Sequence, residues 1–120
     1  MRTKNIPSAQ WRQTFDDLSR AYDGALVSLE VVGEEIGAQP EVIDQSLRGI
    51  SSDRGGVTIR VAKPRTMNLE HLLPNPKEVR IVETDEGAVM AVEIEENEGT
   101  FTLLSFRSPA RPELFDPAVE

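Results

Sequence analysis

The sequence predicts a mainly β (α+β) protein. One N-terminal amphipathic helix is followed by five or six antiparallel strands that form a small barrel or a strongly curled sheet. Three observations predict it. Only residues 8–22 carry a helical apolar period. From residue 25 onward the apolar period is two. The separators Asp85–Glu86–Gly87 and Glu96–Asn97–Glu98–Gly99 place acidic or amide residues ahead of glycine, which is hairpin chemistry.

The helix opens after Pro7, where Ser8 is the expected cap for its first N–H groups. Trp11, Phe15, Leu18 and Tyr22 share one face, while Arg12, Gln13, Asp16, Asp17 and Arg20 lie on the others. Gly24 is the expected stop, because glycine takes the left-handed conformation without strain. Such a short amphipathic helix needs a partner surface, so the stripe, Trp11 included, is read as core rather than as a binding anchor.

ALVSLEVVG follows as a strand with Ala25, Val27, Leu29 and Val31 on the more apolar face. Residues 34–40 read as a turn-rich connection. QSLRGISSDRGGVTIRV reads as two strands joined near Ser52–Asp53–Arg54–Gly55–Gly56, with Val57, Ile59 and Val61 facing in and Thr58 and Arg60 out. The segment 63–77, framed by Pro64, Pro74 and Pro76, holds either a strand or a helical turn. VRIVE, AVMAVEIE and TFTLLSF then form an antiparallel meander. Residues 1–106 are read as one globular domain and 107–120 as a proline-containing tail, tethered by Leu114 and Phe115 or extended.

Composition narrows the function. The 120 residues suffice for one core, and no run of about 18 apolar residues spans a membrane. MRTKNIPSAQW has no apolar stretch after its basic residues, so no secretory signal is expected. The absence of cysteine removes disulfides, thiolate metal sites and a cysteine nucleophile, and fits a reducing, cytoplasmic location. A net charge of −8 argues against nucleic-acid binding, which needs cations to displace counterions from phosphates. The charge is segregated: residues 1–47 carry 4 basic and 8 acidic groups, 48–80 carry 7 and 3, and 81–120 carry 2 and 10. Opposite charges meeting across paired strands explain this pattern, as does a basic patch open to a partner.

The acidic stretch 81–106 holds Glu83, Asp85, Glu86, Glu93, Glu95, Glu96 and Glu98 with no Lys, Arg or His. Its two turns fall at opposite ends of a shared strand, roughly 25 Å apart at strand rise, so they cannot build one cation site. Neither turn has EF-hand spacing. Glu93 and Glu95 point away from Val92 and Ile94, onto a wet face, with Arg60 or Arg80 as their company; no glycosidase pair follows. SSDRGG lacks the lysine and following helix of a phosphate loop and reads as a hairpin. His71, the sole histidine, is flanked by Leu69, Leu72 and Leu73 and reads as a half-buried structural residue.

Several short motifs follow one another along the chain: I-P-x-x-x-W at Ile6–Trp11, V-x-G-x-x-I-G-A at Val31–Ala38, and L-x-G-I-S-x-D at Leu47–Asp53. His71 before a proline turn, T-D-E-G-A at Thr84–Ala88 and T-L-L-x-F at Thr102–Phe106 complete them. In these the chain resembles an uncharacterised bacterial domain-of-unknown-function family, DUF5335-like. That resemblance covers most of the chain up to Phe106 and implies no activity, cofactor or site residue. A more general likeness to small barrels with a leading helix, such as the Sm-like proteins, implies no RNA binding here, because the acidic chain lacks a basic aromatic loop set.

With no catalytic constellation and no cofactor expected, the function read from the sequence is a non-enzymatic, soluble, acidic interaction or accessory domain that binds another protein or itself. The alternative is a small-molecule-binding protein or minor enzyme using a pocket at the barrel mouth, with Arg48, Asp53 and His71 as its polar groups. A third reading is an acidic mimic of nucleic acid using the carboxylates of 83–98.

Overall fold

The computed structural model describes residues 1–33, 37–63 and 68–107. Among these the chain forms strands β1 (Arg2–Ile6), β2 (Leu26–Gly33), β3 (Gly37–Asp53), β4 (Gly56–Val61), β5 (Leu69–Leu73), β6 (Pro76–Glu83), β7 (Val89–Glu96) and β8 (Phe101–Phe106), with one helix, α1 (Trp11–Ala21), between β1 and β2. They make one eight-stranded sheet in the order β1-β6-β7-β8-β2-β3-β4-β5, every pair antiparallel.

This corrects the strand count and the closure expected from the sequence. The order has two ends, β1 and β5, so the sheet is not closed into a barrel. It curls instead. One apolar core contains Val57, Ile59, Val61 and Leu73 from the β5 end and Val79, Ile81, Val92 and Ile94 from the β1 end. Strand β3 makes the curl possible. Its first part pairs with β2 and its second with β4, with register shifts on both sides. A shift between Leu47 and Gly49 leaves Arg48 as an extra residue, and such bulges bend and twist a strand.

The helix supplies Phe15, Leu18 and Tyr22 to this core, all buried, with Trp11 half-buried beside Ile6. The Trp11 indole N–H donates to the Ile6 carbonyl at 2.8 Å. Entry to the helix differs from expectation: Ser8–Gln10 is a 3-10 turn, and no side-chain cap is formed. Gly24 ends it with φ +85, in the left-handed region only glycine enters freely. The Tyr22 ring lies 5.2 Å from that of Phe106, locking the helix end to β8.

One strand and the start of another lie outside the sequence expectation. β1 precedes the helix, and residues 37–40, expected as part of a turn, already pair with β2. The uncertain segment 63–77 resolves at Leu69–Leu73 into a strand; Pro64 to Met67 lie outside the described residues. So does the tail from residue 108. The meander β6-β7-β8 stands as expected, with Val92 and Ile94 buried and Glu93 and Glu95 on the other face.

Candidate interaction surface

The backbone directions at the β5 end follow from one pair of hydrogen bonds. Ser19 Oγ donates to the Ile50 carbonyl and accepts from the Ile50 N–H, both at 2.9 Å. Both backbone groups of Ile50 therefore point toward the helix and away from β4. In an antiparallel ladder these directions alternate residue by residue. Ile59, opposite Ile50, turns its groups toward β5 and its partner there, His71. Glu70 and Leu72, either side of His71, must then turn their N–H and C=O groups off the open edge. Among the described residues no strand pairs with that side of β5, and no backbone bond outside the ladders involves Glu70 or Leu72.

The position of β5 is fixed from below. Gly56, at φ +118, packs so closely that a Cβ there would come within 2.1 Å of the Leu73 carbonyl oxygen. Only glycine lets the β4 start pass under the β5 end. The Asn75 N–H donates to Glu96 Oε2 at 3.3 Å and its carbonyl accepts from the Asn97 N–H at 3.0 Å, tying the exit from β5 to the β7–β8 turn. Leu72 stays 57% exposed, a large apolar side chain beside free backbone groups.

The two sheet ends differ in protection. β1 carries Arg2 and Lys4, exposed cations of the kind that blunt an edge. β5, LEHLL, has no lysine, no proline and no bulge.

The acidic stretch separates into three environments. On the outer face Arg80 gathers the carboxylates. Its Nη1 donates to Glu78 at 2.7 Å and its Nε to Glu93 at 3.3 Å, while Nη2 lies 3.5 Å from Glu95. Its guanidinium also sits 5.6 Å from the Phe101 ring centroid. Burial alone would lower the Arg80 pKa; the bond to and charge of Glu93, then the charges of Glu78 and Glu95, outweigh it and raise the pKa. Of the two partners expected for these acids, Arg80 is the one engaged. Asp85 and Glu86 lie exposed in one turn and Glu98 in the other, at opposite ends of β7.

Glu83 and Glu96 form the third environment: unlike the carboxylates of the wet face, both are buried, at 8% and 9% exposure. Glu83 lies 3.2 Å from Arg2 and 3.4 Å from Lys4, both on β1. It closes one wall of a groove of about 260 Å³ between α1 and β1-β6, floored by Ile6, Leu18 and Ile81 and rimmed by Lys4, Thr14 and Asp17. Beside it, burial raises the Tyr22 phenol pKa, opposed by a hydrogen bond to Val89 and supported by the Glu83 charge.

The polar set expected from the sequence is spread over three places. Arg48 is the exposed bulge residue of β3. Asp53 lies in the β3–β4 turn, accepting the Gly55 N–H at 2.7 Å. His71 is half-buried mid-strand in β5. Strand rise puts Arg48 and Asp53 roughly 16 Å apart along β3. Among the described residues no hydrogen bond or ion pair joins any two of the three, and none lines the α1–β1 groove. Also among the described residues, no cluster of three or more His, Asp or Glu has metal-binding geometry, and no helix is long and apolar enough to cross a membrane. The free groups of Glu70 and Leu72 escape a sequence reading because strand order decides which strand is terminal.

Residues 2–114 match the model of a family described as "Family of unknown function (DUF5335)". The chain is also similar to an "Uncharacterized protein" of Aquifex aeolicus (strain VF5), 38% identical over 112 residues, which covers 93% of this chain and 97% of the relative. No solved structure matches the chain.

Proposed function

The chain belongs to the family of unknown function DUF5335, and we propose that it is a non-enzymatic accessory domain that binds an extended segment, of another protein or of itself, along the open edge of β5. One observation carries this reading: Glu70 and Leu72 present unpaired backbone groups on a terminal strand that has no lysine, proline or bulge to guard it, only the carboxylate of Glu70. A strand added there gains main-chain hydrogen bonds, and the exposed Leu72 offers an apolar contact alongside them. A cysteine-free, acidic chain suits such work in the cytoplasm.

The probe is a synthetic heptapeptide copying residues 68–74, NLEHLLP. Titrated into ¹⁵N-labelled protein, it should shift the amides of Glu70 and Leu72 saturably and leave those of β1 in place. Shifts centred on β1, or none, would overturn the reading.

A small-molecule ligand is the second reading, supported by the groove between α1 and β1-β6. Its apolar floor lies under a rim carrying a lysine and two carboxylates, Glu83 and Asp17. Arg48, Asp53 and His71 do not line this groove, so a ligand held there meets Lys4, Asp17 and Glu83 instead. Binding of an amphiphilic dye that survives L72P and is lost in K4A would favour the groove.

A further inference from the structure

Building on the strand-edge reading, we infer that the segment completing β5 is β5 of a second copy, paired antiparallel about a two-fold axis through His71. The hydrogen-bond directions, the residue order and the contrast between the two sheet ends lead there together.

A two-fold axis normal to the sheet keeps the faces of the two copies aligned. Directly opposed residues share a face, so the axis passes through a residue and not between two. Three centres overlap most of the strand. Centring on Glu70 sets one carboxylate against its own copy, a repulsive cross-strand pair. Centring on Leu72 sets Glu70 against Pro74, which has no N–H to give.

Centring on His71 avoids both faults. Glu70 then faces Leu72 of the other copy, and these are the two residues whose N–H and C=O groups point outward. Each such pair exchanges both backbone bonds. Leu69 faces Leu73, setting a partly buried leucine opposite one already sealed in the core. His71 faces its own copy at a non-hydrogen-bonded position, where strands approach most closely. Arg60 stands in register with Glu70 on the neighbouring strand and offsets the carboxylate on that face. At the other end of the sheet β1 puts Arg2 and Lys4 where a second copy would bring like charges together.

The absence of native cysteine makes single-cysteine variants clean reporters. In the inferred register the two Cα atoms of residue 71 are ~4.5 Å apart, inside the disulfide range, while those of residue 72 lie on a diagonal beyond ~7 Å, outside it. Under mild oxidation H71C should therefore form a covalent dimer at least about tenfold faster than L72C. Equal rates, or no dimer from either, overturn the inference.

A second variant removes any dependence on how H71C folds. The Leu72 N–H points off the edge, so L72P should keep the protomer fold, since proline is tolerated on an edge strand with that side free. Sedimentation should show a concentration-dependent dimer for the wild type and a monomer for L72P. A wild type monomeric at every concentration, or a dimer indifferent to L72P, overturns the inference. If these tests fail while the 68–74 peptide still shifts Glu70 and Leu72, the second-copy inference falls and the edge reading stands. If the peptide fails as well, both fall.

Discussion

Ser19 on the helix substitutes for a missing strand beside Ile50: its single Oγ satisfies both the N–H and the C=O of that residue, each at 2.9 Å. β2 pairs with β3 only as far as Ser46, and α1 continues along β3 where β2 stops. The backbone bridges Gly24 N–H to Leu47 O and Leu47 N–H to Ala25 O, both 2.8 Å, fill the step between them. The hydroxyl is thus a structural link between the helix and the sheet.

Replacing Ser19 with alanine leaves two part-buried backbone groups without their partner, at a cost of about 1–3 kcal/mol. Urea unfolding measures it, with an unchanged m-value expected if the sheet keeps its extent.

Gly56 makes a sharper prediction. An alanine there meets the Leu73 carbonyl at 2.1 Å and the Pro74 Cα at 2.9 Å, backbone atoms that no rotamer change can move. Strain at φ +118 adds to the overlap, so G56A should lose at least about 3 kcal/mol. Gly87, whose Cβ position is open, is the control: G87A carries the φ strain alone, about 1–3 kcal/mol. Thermal unfolding of the two variants separates overlap from strain.

Arg80 organises the outer face of β6-β7-β8. R80A strips Glu78, Glu93 and Glu95 of their shared cation and uncovers Phe101, and should destabilise by about 1–3 kcal/mol, discounted for the exposure of Glu78 and Glu93. R80K keeps the charge but loses the fork that reaches several carboxylates at once, and should fall between. Chemical denaturation in low and moderate salt tests both, the R80A deficit shrinking as salt rises.

Tyr22 sets an alkaline limit. Its folded pKa is raised above the unfolded value of 10.0 by burial, so the folded state holds the phenol proton more tightly than the unfolded chain. The contribution is fully present below pH 10.0 and is lost as pH rises through the folded pKa. Unfolding free energy should decline above that pH in the wild type, and in Y22F the decline should flatten. A slope identical in the two proteins would remove Tyr22 as its source.

What the sequence revealed depended on whether burial had left a local pattern. Phe15, Leu18 and Tyr22 were legible as a core stripe because a packed helix face repeats every three or four residues. Val92 and Ile94 were legible because β7 has one dry face. β1 was not: RTKNI is an edge strand with only Ile6 partly buried, so it carries charges and no alternation. Residues 37–41 of β3 are all exposed, which explains why a strand there looked like a turn. Leu69, Leu72 and Leu73 break the period of two because Leu72 faces water on the terminal strand. Glu83 looked solvated because its cations Arg2 and Lys4 lie at the far end of the chain and meet it only when β1 pairs with β6. Arg48, Asp53 and His71 share residue types suited to a polar site, but strand order sends them to a bulge, a turn and an edge.

The most direct measurement is site-resolved amide exchange along β4 and β5 in protein dilute enough to be monomeric. The open edge predicts alternation: the amides of Leu69, His71 and Leu73 protected, those of Glu70 and Leu72 exchanging far faster. Uniform protection across the five residues, or protection centred on Glu70 and Leu72, would contradict it.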